Sequence, residues 1–273
     1  MRSSHFLSCQ AMLAVSFIAC DQLPLTPPPA PKTEFKLNLP IGRSWAYADT
    51  VRTTGARTEL VARLVIVAVI GKDSLSPELR DLLKMRVTTK AQTPQGSDSL
   101  YDSFVWYRHD DGGLWEVAYQ NSQNVFAYPR AIVDGSLLSE GEKPSNPAPS
   151  RLGPPQATSG SSITIRAEPR LVLKYPLREG DEWVAFQQPF RRTLKCLRLM
   201  SMQVPAGEFT AYELQGAGTA DPTVDFKIYD YFCAEGLVRR ELYWRNLQAF
   251  SPSGQLLPHP IHVEEVMVLM NML

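Results

Sequence analysis

Two cysteines and three histidines carry most of the distinctive side-chain chemistry beyond residue 20. Cys196 and Cys233 both lie in strand-like runs, so they could form a cross-strand disulfide or remain as two half-buried thiols. His259 and His262 stand three residues apart just before two glutamates, and His109 precedes two aspartates. Zinc usually takes three or four ligands, with cysteines or carboxylates nearby. These groups therefore predict neither a metal site nor a cofactor.

Catalytic signatures are absent from the sequence. It contains no G-x-S-x-G elbow, phosphate-binding P-loop, H-E-x-x-H motif or dinucleotide fingerprint. This pattern predicts a non-enzymatic protein, although a triad can assemble from distant residues, so a hydrolase stays an alternative. Aromatic residues around the last predicted hairpin could line a ligand groove or fill the concave face of a curved sheet: Tyr229, Tyr231, Tyr243 and Trp244.

The first twenty residues have the composition of an export signal. Arg2 is the only formal charge before position 20, an apolar stretch follows, and residues 16–20 read SFIAC. A charged start, a short apolar core and small residues before a cut site are typical of a secretory signal peptide. This ending resembles the bacterial lipobox, although Phe17 stands where that family usually has leucine. The resemblance implies a signal peptide over residues 1–19 and lipidation of Cys20.

Proline divides the rest of the chain. The 22 prolines outnumber the 16 glycines, and ten of them lie in two short segments. Residues 20–34 predict the lipidated cysteine and an extended polyproline tether, which cannot bury a core. Residues 139–168 predict a Pro/Ser/Gly-rich linker. The remaining residues form two β-rich halves, 35–138 and 169–273.

Period-two alternation dominates both halves and predicts a mainly β protein of curved antiparallel sheets. In residues 104–120, two aromatic strands flank an Asp-Asp-Gly-Gly turn, which is typical of a tight hairpin. One short helix is predicted near residues 77–84, because Ser76 could cap it and Pro77 suits a first helical turn.

Short similarities between the two halves predict that they are alike. Residues 40–45 and 176–183 both contain Pro, an aliphatic residue and then Gly-x-x-Trp at a strand start. Residues 107–114 and 231–238 both contain an aromatic strand, an acidic turn and Gly-Leu. The two pairs occur in the same order, as an internal duplication would require.

One segment resembles a known family. Residues 204–212 read VPAGEFTAY, and YFCAEGLV follows at 231–238. Together with YPLREGDEW at 175–183, they resemble the β-rich periplasmic lipoproteins of unknown function found in bacteria. The resemblance covers about residues 172–250 and implies a strongly curved antiparallel sheet. It brings no established catalytic residues.

Charge and composition limit the classes of molecule that this protein is expected to bind. The chain has 273 residues with 28 basic and 28 acidic side chains, and this balance argues against binding nucleic acid. The sequence thus predicts a lipid-anchored protein of the bacterial envelope, facing the periplasm or the exterior, that binds or scaffolds without catalysis. Its partners would be the membrane, through the N-terminal lipid, and an envelope protein or hydrophobic ligand. The alternatives are a lipid or lipoprotein carrier with a hydrophobic groove and a hydrolase with dispersed catalytic residues. The choice between inner and outer membrane stays open.

Overall fold

The computed structural model describes residues 35–55, 58–92, 98–120, 131–133, 136–138, 163–187, 191–218, 225–247 and 259–273. The predicted signal peptide, Cys20, the tether and most of the linker lie outside these residues. The described part is all β, and its strands are β1 Ser44–Thr54, β2 Thr58–Asp73, β3 Leu82–Gln92, β4 Asp98–Asp110, β5 Gly113–Gln120, β6 Ala131–Val133, β7 Ser136–Leu138, β8 Thr164–Lys174, β9 Glu182–Phe186, β10 Arg192–Val204, β11 Gly207–Ala217, β12 Asp225–Cys233, β13 Gly236–Leu247 and β14 Ile261–Met272. In this part of the chain no helix has the length and apolarity that crossing a bilayer requires.

Twelve of the strands form one antiparallel sheet that nearly closes on itself. Its order is β8-β5-β4-β3-β2-β1-β14-β13-β12-β11-β10-β9, and β6 pairs with β7 separately. The two edge strands, β8 and β9, contact each other through side chains. Trp183 Nε1 donates a hydrogen bond to the Leu171 carbonyl at 3.2 Å, and the Arg170 guanidinium lies 4.3 Å from the Phe186 ring centroid. Each edge is therefore partly covered by the other.

The inward face of the sheet follows from strict alternation in the sequence. In β1, Trp45, Tyr47, Asp49 and Val51 are buried, while the residues between them are more exposed. Because successive side chains of a strand point to opposite faces, this pattern fixes which face is inside. Three valines of β2 are buried in the same way and pack in the same core: Val65, Val67 and Val69.

Residues 35–42 run across one end of the sheet and seal the core there. Leu37 and Leu39 are buried in the main apolar cluster. The Asn38 amide donates to the Ala234 carbonyl at 2.7 Å, in the turn between β12 and β13. Beneath this segment, Trp45 Nε1 donates to the Glu235 carbonyl at 2.8 Å, so the buried indole has a partner.

The short helix predicted near residues 77–84 is not present. The predicted cap does form, since the Leu79 amide donates to Ser76 Oγ at 3.2 Å. However, Asp81 has a φ of 53°, which does not continue a helix, and β3 begins at Leu82. Leu82 packs with Trp106 in a cluster on the outer side of the sheet. Tertiary packing of this leucine therefore outweighs the local helix signal.

The two predicted halves contribute to one sheet. Residues Glu34–Leu273 form a single compact unit, and β8 begins at Thr164, inside the predicted linker. The matched Trp residues occupy corresponding places, with Trp45 near the start of β1 and Trp183 near the start of β9. An internal duplication is not confirmed by this arrangement and stays a prediction.

Candidate functional site

The two described cysteines are buried free thiols. Cys196 lies in β10 and Cys233 ends β12, with β11 between those strands. Neighbouring strands are about 4.8 Å apart, so the two cysteines are separated by about 9.6 Å or more. A disulfide needs its Cα atoms within about 7 Å, so the predicted bridge does not form in this structure. Burial raises the pKa of each thiol to about 12, which disfavours the reactive thiolate.

The histidines lie apart. His109, at the end of β4, packs edge-on against Tyr175 with ring centroids 5.6 Å apart, and burial lowers its pKa. His259 is exposed before β14. His262 Nδ1 accepts a hydrogen bond from the Asn246 amide at 3.3 Å. Among the described residues, no group of three His, Cys, Asp or Glu side chains could hold a metal ion.

The four predicted groove aromatics are divided between environments. Trp244 packs with Phe226 in a small buried cluster, with ring centroids 5.4 Å apart. Tyr231 is buried in the main core. Tyr229 and Tyr243 are half-buried and meet edge-to-face at 6.4 Å. By the register, Tyr229, Tyr231 and Tyr243 lie on one face of β12 and β13 and Trp244 lies on the other, so three of the four share a face.

A row of acidic and basic side chains crosses the interior on five adjacent strands. Asp49 of β1 accepts a hydrogen bond from Arg63 Nε of β2 at 2.7 Å. The Arg63 Nη2 atom lies 3.7 Å from Glu265 Oε1 of β14. Arg240 of β13 binds Asp230 of β12 through two hydrogen bonds of 2.6 and 2.8 Å. We call these five residues the interior ion row.

Asp49 is the unusual member of the row. It is only 2% exposed, and its Oδ1 atom has no hydrogen-bond partner among the described residues. Burial raises its pKa to about 7, opposed by the charge of Arg63 and reinforced by that of Glu265. Burial alone would lower the pKa of Arg240, but the facing Asp230 carboxylate outweighs it and the pKa is raised.

A second buried acid lies on the opposite part of the inner face. Glu116 of β5 is fully buried and pairs with Arg166 of β8. Arg166 also lies 4.6 Å from the Tyr119 ring centroid. Tyr107 of β4 is paired with Glu116 in the strand register, and burial raises its pKa well above the ordinary value.

Sequence reasoning missed these buried ions, although one signal could have revealed Asp49. Counting by twos from Trp45 through Tyr47 places Asp49 on the inward face. The residues that pair with Asp49 could not be found in this way. They lie on other strands, and the register of those strands with β1 depends on the whole sheet. Within the described interior, the acids face arginines rather than water, so they hold strands together and do not form an open reactive cleft.

The outer face of β14, β1 and β2 is the exposed feature that stands out. On β2, alternate outward positions carry no polar side chain over the eleven residues from Leu60 to Ile70, with Leu60 63%, Leu64 41% and Ile70 42% exposed. In the register, Ala48 of β1 lies between Leu64 and Val268. We call the following set the apolar outer face: Ala46, Ala48, Leu60, Ala62, Leu64, Ile66, Ala68, Ile70, Val266, Val268 and Met270.

Such a face is unusual for a sheet in contact with water. Antiparallel strands with one solvated face normally alternate apolar and polar residues, as β12 does with exposed Asp225 and Lys227. Contiguous exposed apolar surface commonly marks a site of interaction with a protein or a membrane. The basic residues Arg86 and Lys90 are exposed on β3, which adjoins β2.

Comparisons with known proteins give few matches. No family model matches the chain, and no curated protein is similar to it. The chain is similar in structure to "a putative lipoprotein" from Parabacteroides distasonis ATCC 8503, with a TM-score of 0.34 and 12% identity. It is also similar to "a putative exported protein with YmcC-like fold" from Bacteroides fragilis NCTC 9343, with a TM-score of 0.35 and 13% identity. Each comparison covers 88% of this chain and 99% of the other.

Proposed function

We propose that this protein is a lipid-anchored component of the bacterial envelope that binds a partner through the outer surface of its sheet and catalyses no reaction. The apolar outer face is the observation that carries the proposal. Exposing Leu60, Leu64 and Ile70 to water is unfavourable. These side chains are not needed on the outer face for the core to fold, whereas a binding partner would remove them from water.

The filled interior supports binding at the outer surface rather than inside the sheet. Trp45 and Tyr47 are fully buried, and they belong to a main core in which Val67, Leu114 and Leu173 are also fully buried. The walls of an open groove would be exposed to water. An acyl chain would therefore have to displace packed side chains to enter, which disfavours a carrier that holds its cargo inside the sheet.

The separation of the titratable groups supports a non-enzymatic role. His109 is at the end of β4, while His259 and His262 are near the start of β14. A general base must come within hydrogen-bond reach of the group it deprotonates. The half-buried His109 packs against Tyr175, and Asp49 contacts Arg63. Neither residue stands beside a nucleophile in an open cleft of the described structure.

The lipid anchor is tested by metabolic labelling with an alkyne-bearing palmitate. The native chain should incorporate the label, and Cys20→Ser should abolish it and release the protein from the membrane fraction. Inhibition of the lipoprotein signal peptidase should leave an uncleaved precursor. Continued labelling of the Cys20→Ser chain would show that the anchor assignment is wrong.

The binding surface is tested by a photo-crosslinking amino acid placed in intact cells. The probe at position 64 reports on the apolar outer face, and a probe at position 199 is the matched control, because Leu199 is a similarly exposed leucine on β10. Crosslinks are expected from position 64 and not from position 199. Equal crosslinking at both positions, or none at position 64, would contradict a binding role for this face.

A further inference from the structure

We infer that the apolar outer face docks onto the anionic phospholipid surface of the membrane that carries the anchor. This inference rests on the proposed function and names its partner. It assigns the row of outward apolar residues on β2, together with its neighbours on β1 and β14, to contact with lipid rather than with a second protein chain.

The dimensions of the face favour lipid over a second copy of the chain. From Leu60 to Ile70 the strand extends about 34 Å, and the three strands span about 14 Å. The apolar face has a footprint of less than about 500 Å², because exposed Thr50, Arg52 and Glu264 lie within this outline. A stable protein dimer buries about 800 Å² on each partner. The sheet also curves away from the face, so two rigid copies would touch over less than the full footprint. A bilayer surface is deformable and can follow the curvature.

The length of chain before the structure also favours the membrane. Fourteen residues separate Cys20 from Phe35, the first described residue. Even fully extended, at about 3.5 Å per residue, the chain from Cys20 to Phe35 reaches at most about 52 Å. A lipidated Cys20 would therefore keep the folded body within that distance of the bilayer, at an effective concentration in the millimolar range. Weak docking by a small face is sufficient under these conditions.

The charges around the face agree with an anionic surface. Arg86 and Lys90 are exposed along the β3 side, where Lys90 is paired with Leu64 in the register. At the far end, exposed Arg52 lies opposite Glu264, and these two charges offset each other. On the β3 side, Asp102 of β4 is exposed beside Arg86 and Lys90 and accepts a hydrogen bond from Thr88. Two bases there face one acid, so the β3 side keeps a small net positive charge, which an anionic lipid surface attracts.

An aromatic residue lies at the opposite border. Tyr243 of β13 is half-buried and paired in the register with Glu264, and its hydroxyl donates a hydrogen bond to Glu241 at 3.0 Å. Tyrosine is favoured at membrane–water interfaces, because its ring is apolar and its hydroxyl is polar. The face thus has an apolar centre, a basic border and an interfacial aromatic residue.

The test uses the mature chain, residues 20–273, carrying Cys20→Ser so that no acyl chain contributes to binding. Flotation measures its partition onto vesicles of phosphatidylethanolamine and phosphatidylglycerol at millimolar lipid. The triple variant Leu60→Thr, Leu64→Thr, Ile70→Thr keeps residues that suit a strand and should lower the partition coefficient by at least about tenfold. Phosphatidylcholine vesicles and high salt should each weaken binding of the unaltered face.

The matched control replaces three apolar residues of similar exposure elsewhere on the surface, through Leu199→Thr, Ile163→Thr and Ile165→Thr. This control should bind vesicles as the parent does, and circular dichroism with thermal unfolding should show both triple variants folded. Equal partition of the two variants, or no binding by the parent chain, would overturn the inference. A dimer in light scattering that only the face variant disrupts would overturn it in favour of a second copy.

The outcomes separate this inference from the proposed function. Palmitate labelling of the native chain tests the anchor, whereas the vesicle assay uses a chain without acyl groups. Labelling at Cys20 together with failed flotation would refute membrane docking and leave the anchor intact. Flotation that depends on Leu60, Leu64 and Ile70 without labelling would refute the anchor alone.

Discussion

Replacing Asp49 by asparagine should stabilise the protein, and it should do so by more at pH 8 than at pH 5. Asparagine has nearly the shape of a protonated aspartate but does not ionise. Four members of the interior ion row face Asp49 or adjoin its ion pair: Arg63 on β2, Glu265 on β14, and Arg240 with Asp230 on β13 and β12. The substitution removes one buried negative charge and leaves these groups in place.

The magnitude follows from the shift in the pKa of Asp49. Burial raises this pKa from 3.8 to about 7, so the folded chain keeps a proton that the unfolded chain loses between these values. The unfolded state therefore binds fewer protons, and the free energy of unfolding falls as the pH rises from about 4 to about 7. The whole shift corresponds to about 4 kcal/mol, of which about 2.5 kcal/mol is lost between pH 5 and pH 8.

Urea unfolding of the Cys20→Ser mature chain, followed by tryptophan fluorescence at pH 5, 6, 7 and 8, measures the effect. The Asp49→Asn chain should gain about 2.5 kcal/mol over its parent between the ends of this series. Asp225→Asn is the matched control, because it removes one exposed negative charge from the start of β12, and its curve should parallel that of the parent. Parallel curves for Asp49→Asn and its parent would refute the reasoning. So would a gain in unfolding free energy over the parent that is smaller at pH 8 than at pH 5.

Three further effects are expected in the same chain. Asp230→Ala should cost about 3–5 kcal/mol in urea unfolding, because it leaves the buried Arg240 charge without its doubly bonded partner. Gly236→Ala should cost about 2 kcal/mol or more, because φ is 144° and the new Cβ would lie 2.7 Å from Trp45 Nε1. The buried cysteines should resist a disulfide reagent in the native state and react only after unfolding, because burial raises their pKa values.

Each of these effects has a control within the chain. Gly42→Ala has a φ of 93° but no atom within 4 Å of the new Cβ, so it should cost only the backbone strain, about 1 kcal/mol. Equal losses at the two glycines would exclude the steric reason given for Gly236. Asp102→Ala removes an exposed carboxylate bonded to Thr88 and should cost less than 1 kcal/mol. Rapid thiol labelling of the folded chain would contradict the burial of the two cysteines.

The strand content could be predicted because it follows from local alternation. The hairpin turn at Asp111 and Gly112 lies where the sequence predicts it, between β4 and β5. Closure of the sheet could not be predicted, because pairing of β1 with β14 joins residues more than two hundred positions apart. The helix prediction failed because Ser76 and Pro77 describe only a local turn, whereas burial of Leu82 against Trp106 is a long-range contact.

The candidate site is likewise only partly predictable, because some of its features follow from nearby residues and others from the pairing of distant strands. The apolar residues on β2 are visible in the sequence, but a continuous apolar run is equally compatible with a strand buried on both faces. Only the structure shows that Leu64 is 41% exposed on the outer face. Likewise, Asp49 is inward by its position, but its pairing with Arg63 requires the register of β1 with β2.

Pairing of β1 with β14 also constrains how the chain can fold. The Ser44 and Leu273 backbones exchange hydrogen bonds of 2.9 Å, so the first and last strands of the sheet are laid side by side. A chain synthesised from its N-terminus cannot complete this pairing until β14 has been made. Contacts of such large sequence separation form slowly, because loop closure comes before the contact energy. The unpaired edge of β1 therefore needs protection from aggregation until the last strand arrives.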